Sequence, residues 1–246
     1  MIKELEDYSW FPLSLRRYQA DYIGSLVKWL SVYQPLVAQL DELSNSTKAD
    51  TIQDLCSGSG IPAIYMLERA KNISQMLLSD KYPDGSFKDD QKLKYIKTST
   101  DVIELVPQPG VCYTMYNAFH HFSPCEQKQL ISKMAENKNG FLFAEILHPG
   151  ILTIIRIVFA ATVLQLLTAP FIKPFSFKRL FFTYFIPFNL LTVLYDGLIS
   201  VTRSGAHNYY CSLFENMSGN DFIISVEQCR NWKGRLIFIK GNPVNT

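Results

Sequence analysis

Charge is scarce in this chain of 246 residues, with Asp, Glu, Lys and Arg together making up 19%, against about 25% in ordinary soluble domains. Neither sign dominates. Lys and Arg number 24 against 22 Asp and Glu, for a net charge of +2, and a chain without basic surplus lacks the electrostatic footprint of a nucleic-acid binder. Cysteine is sparse as well. Cys56, Cys112, Cys125, Cys211 and Cys229 are widely spaced and form no CxxC pair. That excludes a disulfide framework or a zinc-thiolate site and points to thiols in a reducing compartment. No metal site is expected. The opening MIKELEDYSWF is acidic and has no apolar core, so no signal peptide is expected. Apolar residues, in contrast, are plentiful. They make up 48% of the chain, and aromatics 13%, which excludes disorder and suits one large domain or a domain with an insertion.

Residues 1–48 read as a helical cover, because Leu15, Tyr18, Tyr22, Leu26, Trp29, Leu30 and Tyr33 recur at three- and four-residue steps. Pro35 breaks that helix or begins a second one. Residues 49–148 read as an α/β core. Strands are expected over 51–56, 75–79, 95–99, 112–116 and 140–146, with helices over 62–71 and 124–136. Strands alternating with helices imply a parallel sheet with right-handed crossovers. Residues 206–246 complete that core with a hairpin over 222–227 and 235–240, turning at Asn-Trp-Lys-Gly.

The segment Asp54-Leu55-Cys56-Ser57-Gly58-Ser59-Gly60 joins the first strand to the first helix. Small residues there let the backbone approach a ligand, and a helix N-terminus offers free N–H groups. Asp80 ends the next strand, where a carboxylate can accept both hydroxyls of a ribose. The plain alternative is a glycine turn and a strand-end Asp without a ligand.

These residues resemble the first motif of class I S-adenosylmethionine-dependent methyltransferases, an acidic residue followed by alternating glycines. Asp54, Gly58 and Gly60 match, while Cys56 stands where the first glycine is usual. The resemblance implies a three-layer Rossmann-like sheet with a reversed last strand and S-adenosylmethionine as cofactor. Asp80 would bind the ribose and Asp101 would lie beside the adenine. The segment Asn117-Ala118-Phe119-His120-His121-Phe122 is similar to the family's fourth motif, facing cofactor and substrate. Taken whole, the Asp7 to Pro12 segment, Arg16, Asp21-Tyr22, the glycine turn, NAFHHF and Tyr195-Asp196-Gly197 resemble a bacterial subgroup of this family with a hydrophobic insertion and no settled substrate.

His120 and His121 are half of the four histidines. At a strand end, such a ring can take a proton from an acceptor hydroxyl, or orient Asn117, or pack as a neutral ring. His120 is the first choice for the base. Asn117 either bonds cofactor or substrate, or caps its strand. Glu145 either faces the substrate or pairs with Arg156; like His148, it also reads as a boundary residue. Trp10-Phe11-Pro12 is a lid over the cofactor or an anchor for the first helix.

Residues 149–205 differ from the rest. From Phe141 to Thr202 only Glu145, Arg156, Lys173, Lys178, Arg179 and Asp196 are charged, and ten of the chain's 17 Phe fall in 141–188. Two charge-free stretches, 157–172 and 180–195, fall short of the roughly 20 apolar residues of a membrane span. Arg156, Pro170 and Pro187 disfavour two clean spans. Lys173, Lys178 and Arg179 lie between the stretches, as suits an anionic headgroup layer. A membrane-surface element, a cap over an apolar substrate pocket and a homodimer interface all fit this composition. Asp196 sits in apolar surroundings, where an unpaired carboxylate is costly. It is a substrate-site candidate, or a structural link to Arg203 through a bridging group.

The expectation is methyl transfer from S-adenosylmethionine to an apolar or membrane-resident small molecule, in the cytoplasm or at the inner face of its membrane. The alternative is a non-catalytic protein of the same fold that binds the cofactor or a lipid. A nicotinamide-dependent oxidoreductase shares the first βαβ unit but not the terminal hairpin.

Overall fold

The computed structural model describes residues 2–83, 87, 89–231 and 234–244. Two helices open the fold, α1 (Leu13–Trp29) and α2 (Leu36–Thr47), the second beginning just after Pro35. Seven strands then form one sheet: β1 (Thr51–Leu55), β2 (Gln75–Ser79), β3 (Leu93–Tyr95), β4 (Val111–Tyr116), β5 (Phe141–Glu145), β6 (Phe222–Asn231) and β7 (Gly234–Pro243). Their order is β3-β2-β1-β4-β5-β7-β6. The first five run parallel, and β7 pairs antiparallel with both β5 and β6. Helix α3 (Ile61–Leu67) links β1 to β2, and α4 (Pro124–Glu136) links β4 to β5.

The strand alternation builds two cores. Cys112, Tyr116, Leu142, Ala144, Leu236 and Phe238 face α1, α2 and α3. Tyr113, Met115, Phe141, Phe143, Ile237 and Ile239 face α4 and α9 (His207–Phe214). The three layers expected from the sequence are therefore present. The third strand lies earlier than expected, because the Asp89 and Asp90 carboxylates take the N–H groups of Lys92, Leu93 and Tyr95 and fix where pairing with β2 begins. The terminal hairpin is ten residues a side, longer than expected; its tip at Trp232 and Lys233 lies outside the described residues.

Between β5 and α9 stand α5 (Ile151–Phe159), α6 (Gln165–Thr168), α7 (Phe177–Tyr184) and α8 (Phe188–Arg203). A π-turn over Ala160–Leu164 and a 3-10 turn over Ala169–Phe171 join the first pieces into one 21-residue apolar helix, Ile151–Phe171. It is long and apolar enough to cross a membrane, which corrects the expectation of two short stretches. Arg156 lies exposed within it, and Pro170 falls at its end, where a missing N–H breaks little. Helices α7 and α8 meet at Pro187 with a 76° bend.

This insertion is turned inside out. Thr153, Gln165, Arg179, Thr183, Asn189 and Asp196 are buried, while Ile151, Phe159, Leu167, Phe171, Phe177 and Phe185 are exposed. Small contacts hold it together. A Cβ on Gly197 would stand 2.7 Å from Ile157 Cγ2, so α5 and α8 touch at a residue with no side chain. The insertion is tied to α1 by Tyr22, whose hydroxyl donates to the Ala160 carbonyl, and by Arg179, which meets Asp21 at 3.3 Å.

Candidate functional site

The β1–α3 turn is built on left-handed backbone. Cys56, Gly58 and Gly60 have φ of 54°, 52° and 71°. Gly60 is the residue the turn most requires, since a Cβ there would come 2.5 Å from Leu78 Cδ1. Cys56 holds the same conformation with a side chain, which explains why glycine is the commoner choice at such a position. Burial pushes its thiol pKa well up, and the nearby Asp80 and Asp54 carboxylates add to that.

Asp80 is locked against this turn. Its Oδ2 accepts the Gly58 N–H and its Oδ1 the Tyr82 N–H, each at 2.8 Å. Each oxygen retains a second lone pair, so the fixed carboxylate can take two neighbouring hydroxyls. Asp101 pairs with Lys81 at 2.8 Å and caps the Ile103 N–H. Asn117 also has positive φ, and its Oδ1 accepts from the Ile146 N–H. Gly58, Asp80, Asp101 and Asn117 all line one cavity of about 1390 Å³. Asp54 does not reach it. It lies under the turn, accepting the Thr114 hydroxyl at 2.7 Å while its carbonyl takes the Ser57 and Ser79 hydroxyls. Burial raises its carboxyl pKa to about 7.

The other end of the cavity is ionic. His120 Nδ1 lies 2.7 Å from Glu145 Oε2, and His121 Nδ1 lies 2.8 Å from Asp7 Oδ1. The two rings lie side by side, with centroids 4.6 Å apart. Glu4 Oε1 stands 3.4 Å from His120 Nε2. Arg203 pairs with Asp7 at 2.7 Å and donates to the His120 and His121 carbonyls. A strap of residues 2–12, holding a single 3-10 turn over Leu5–Asp7, thus crosses the cavity. Arg16 fixes the strap through the Glu6 and Tyr8 carbonyls, its guanidinium 3.7 Å from the Tyr82 ring.

Four expectations change here. Glu145 is fully buried behind His120 and pairs with that ring, not with Arg156. Asp196 lines the cavity but accepts the Leu5 N–H at 2.6 Å and the Gln19 amide at 2.8 Å. It is not linked to Arg203, because Asp7 occupies that guanidinium. His120 is poorly placed to act as a base. Burial alone would lower its pKa, but Glu145 and Glu4 overcome that and raise it to about 10. At neutral pH the ring already holds the proton it would have to accept. Of the lid cluster, Trp10 is exposed and Phe11 is buried; Glu4, Glu6 and Asp7 form the cover instead. Their acidic run was visible in the sequence, but its partners lie more than a hundred positions away.

No family model matches the sequence, and no curated protein does. Solved structures do. Human N-acetylserotonin methyltransferase, in complex with SAM, matches with a TM-score of 0.51 at 10% identity, over 91% of this chain and 55% of that one. Mitomycin 7-O-methyltransferase matches at 0.48 and 12% identity, over 87% and 55%, and the pyocyanin biosynthetic protein PhzM at 0.47 and 10%, over 82% and 53%. The chain spans about half the length of these proteins. With the strand order and the reversed β7, the first match shows the class I S-adenosylmethionine-dependent methyltransferase fold.

Proposed function

We propose that this protein transfers a methyl group from S-adenosylmethionine to an apolar small molecule drawn from a membrane surface. The observation that carries this reading is the continuity of one cavity. It runs from the glycine turn and Asp80, past the His120–His121 pair, to Ile157, Ala161 and Val193 of the insertion. At about 1390 Å³ it exceeds the roughly 300–1,000 Å³ of a single-ligand site and leaves room for cofactor and acceptor together.

In this reading the turn and Asp80 hold the ribose end of the cofactor, and Asp101 and Asn117 flank it. The acceptor lies between the cofactor and the histidine pair, where the strap and insertion exclude water. Rate acceleration then comes chiefly from positioning and desolvation. The insertion's exposed apolar face supports the membrane source. Phe177 and Phe185 are each 79% exposed, with Lys173 and Lys178 beside them at the surface. Exposed aromatic and basic residues within one segment suit an anionic headgroup layer. That face would lie at the inner side of the membrane.

Calorimetry with S-adenosylhomocysteine tests the cofactor, and micromolar binding is expected; no binding overturns the proposal. Incubation with labelled S-adenosylmethionine and a membrane lipid extract tests the reaction. Label in the organic phase is expected, whereas cofactor binding without transfer would favour the non-catalytic alternative. Flotation with anionic vesicles is expected for the insertion. A dimer that fails to float would make that face an interface between copies.

A further inference from the structure

The histidine pair has a geometry that the methyl-transfer reading does not use. Both imidazoles present Nε2 to one small region and give Nδ1 to a carboxylate, Glu145 for His120 and Asp7 for His121. A carboxylate behind each ring is the arrangement that orients metal-ligating histidines. In that region stands Glu4, which is 2% exposed, beside His120, which is 1% exposed. Glu4 Oε1 and His120 Nε2 are both buried, face each other, and make no hydrogen bond.

The separations fit an ion between these groups. A tetrahedral ion with bonds near 2.1 Å puts its ligand atoms about 3.4 Å apart. His120 Nε2 to Glu4 Oε1 is 3.4 Å, His121 Nε2 to Glu4 Oε2 is 3.6 Å, and His121 Nε2 to Glu6 Oε1 is 3.5 Å. One donor atom from each of Glu4, His120 and His121 lies within 4.8 Å of the others. Charge points the same way, since Glu4 and Asp7 pair with Arg203 while Glu145 stands against His120 and Glu6 against His121.

We propose that Glu4, His120 and His121 bind a divalent transition-metal ion of the zinc type, with Glu145 and Asp7 orienting the two rings. Two imidazoles and a carboxylate select such an ion over magnesium or calcium, which prefer all-oxygen sites. All three ligands line the cavity, so the ion's remaining position opens toward it and takes water or another oxygen ligand. Two ligands come from the β4–α4 connection and one from the strap, so the ion would clip the strap over the cavity. The site stands independently of the cofactor, as Asp80 and the glycine turn take no part in it.

The test uses the full chain, stripped with a chelator and titrated with zinc in the calorimeter. One ion per chain at micromolar affinity or tighter is expected, with protons released as the imidazoles give theirs up. His121→Ala and Glu4→Gln should weaken binding at least 10-fold, and Asp7→Asn by 10- to 100-fold. His207→Ala, at the sheet's far edge beside Val226, should bind as the parent does. Cobalt titrated into the unsubstituted protein covers the case in which a variant fails to fold. Visible bands of nitrogen and oxygen ligation, lost on adding zinc, are expected. Absence of zinc uptake, uptake that survives His121→Ala in a folded protein, or thiolate bands in the cobalt spectrum would each overturn the proposal. S-adenosylhomocysteine binding measured on the same sample separates this failure from failure of the methyl-transfer reading.

Discussion

Asp196, deep in α8, accepts the backbone N–H of Leu5 at 2.6 Å across 191 positions of sequence. Its other oxygen takes the Gln19 amide, so one carboxylate holds both the strap and α1. Asp196→Ala leaves the Leu5 and Gln19 donors unsatisfied, at a cost of about 1–3 kcal/mol. The strap should loosen first. Limited proteolysis should cut near residues 2–8 faster in the variant than in the parent, and equal rates would show that Arg16 and Arg203 hold the strap without help.

Gly197→Val should destabilise the insertion, because the new side chain meets Ile157 at the α5–α8 contact. Overpacking of this kind costs about 1–3 kcal/mol, or roughly 2–10 °C in thermal midpoint for a chain of this size. Adding Ile157→Ala should recover part of the loss. A midpoint that does not move would mean that the helices can part there freely.

Asp80→Asn keeps the Gly58 bond, since the amide oxygen can still accept that N–H, but turns its NH2 toward the Tyr82 N–H and loses the second bond. It removes the charge that strengthens bonds to a ribose, each such bond being worth about 1.5–3 kcal/mol. Calorimetry should show S-adenosylhomocysteine binding at least 10-fold weaker, with a melting midpoint lowered by no more than the loss of the Tyr82 bond, worth about 0.5–1.5 kcal/mol.

Asp54 sets a stability term with a definite sign. Burial raises its folded pKa from 3.8 to about 7, with Asp80 adding to the effect and the Thr114 and Ser57 hydrogen bonds opposing it. The unfolded chain therefore loses this proton first as pH rises. Stability should fall between about pH 4 and pH 7 and then level off. Asp54→Asn should flatten that part of the curve in denaturant titrations, and an unaltered slope would assign it to other groups.

Phe177→Ser with Phe185→Ser should leave the melting midpoint where it is, because both rings are exposed and bury little against the protein. Flotation with anionic vesicles should drop several-fold. If the doubly substituted protein floats as well as the parent, the insertion's aromatic edge is not the membrane contact.

Much of the fold was legible because it is written in local patterns. Strands β1, β2, β4 and β5 are short runs buried on both faces, and Pro124 opens α4 behind Ser123, whose side chain caps it. The glycine turn announced itself through Gly58 and Gly60. What stayed hidden is non-local. Nothing near Glu4 or Asp7 in the sequence signals His120, His121 and Arg203, and the spacing of Asp196 and Arg203 on one helix suggested a link that Asp7 pre-empts. The long apolar helix was hidden for another reason. Charge and proline were read as breaks at Arg156 and Pro170, yet backbone hydrogen bonding runs past the first and ends near the second.

The strap also imposes an order on the chain's assembly. Glu4, Leu5 and Asp7 are synthesised well before Asp196 and Arg203, which hold them across more than 180 positions of sequence. Domains acquire structure from the N-terminal side as they are made, but this segment gains its Asp196 and Arg203 partners only once α8 exists, and has Arg16 and the histidine pair alone before then. The cavity's cover is therefore fully fixed only after α8, although it is made long before it. Until the insertion packs against α1 and brings α8 to it, the acidic segment is left with only part of its anchorage, Arg16 and the histidine pair.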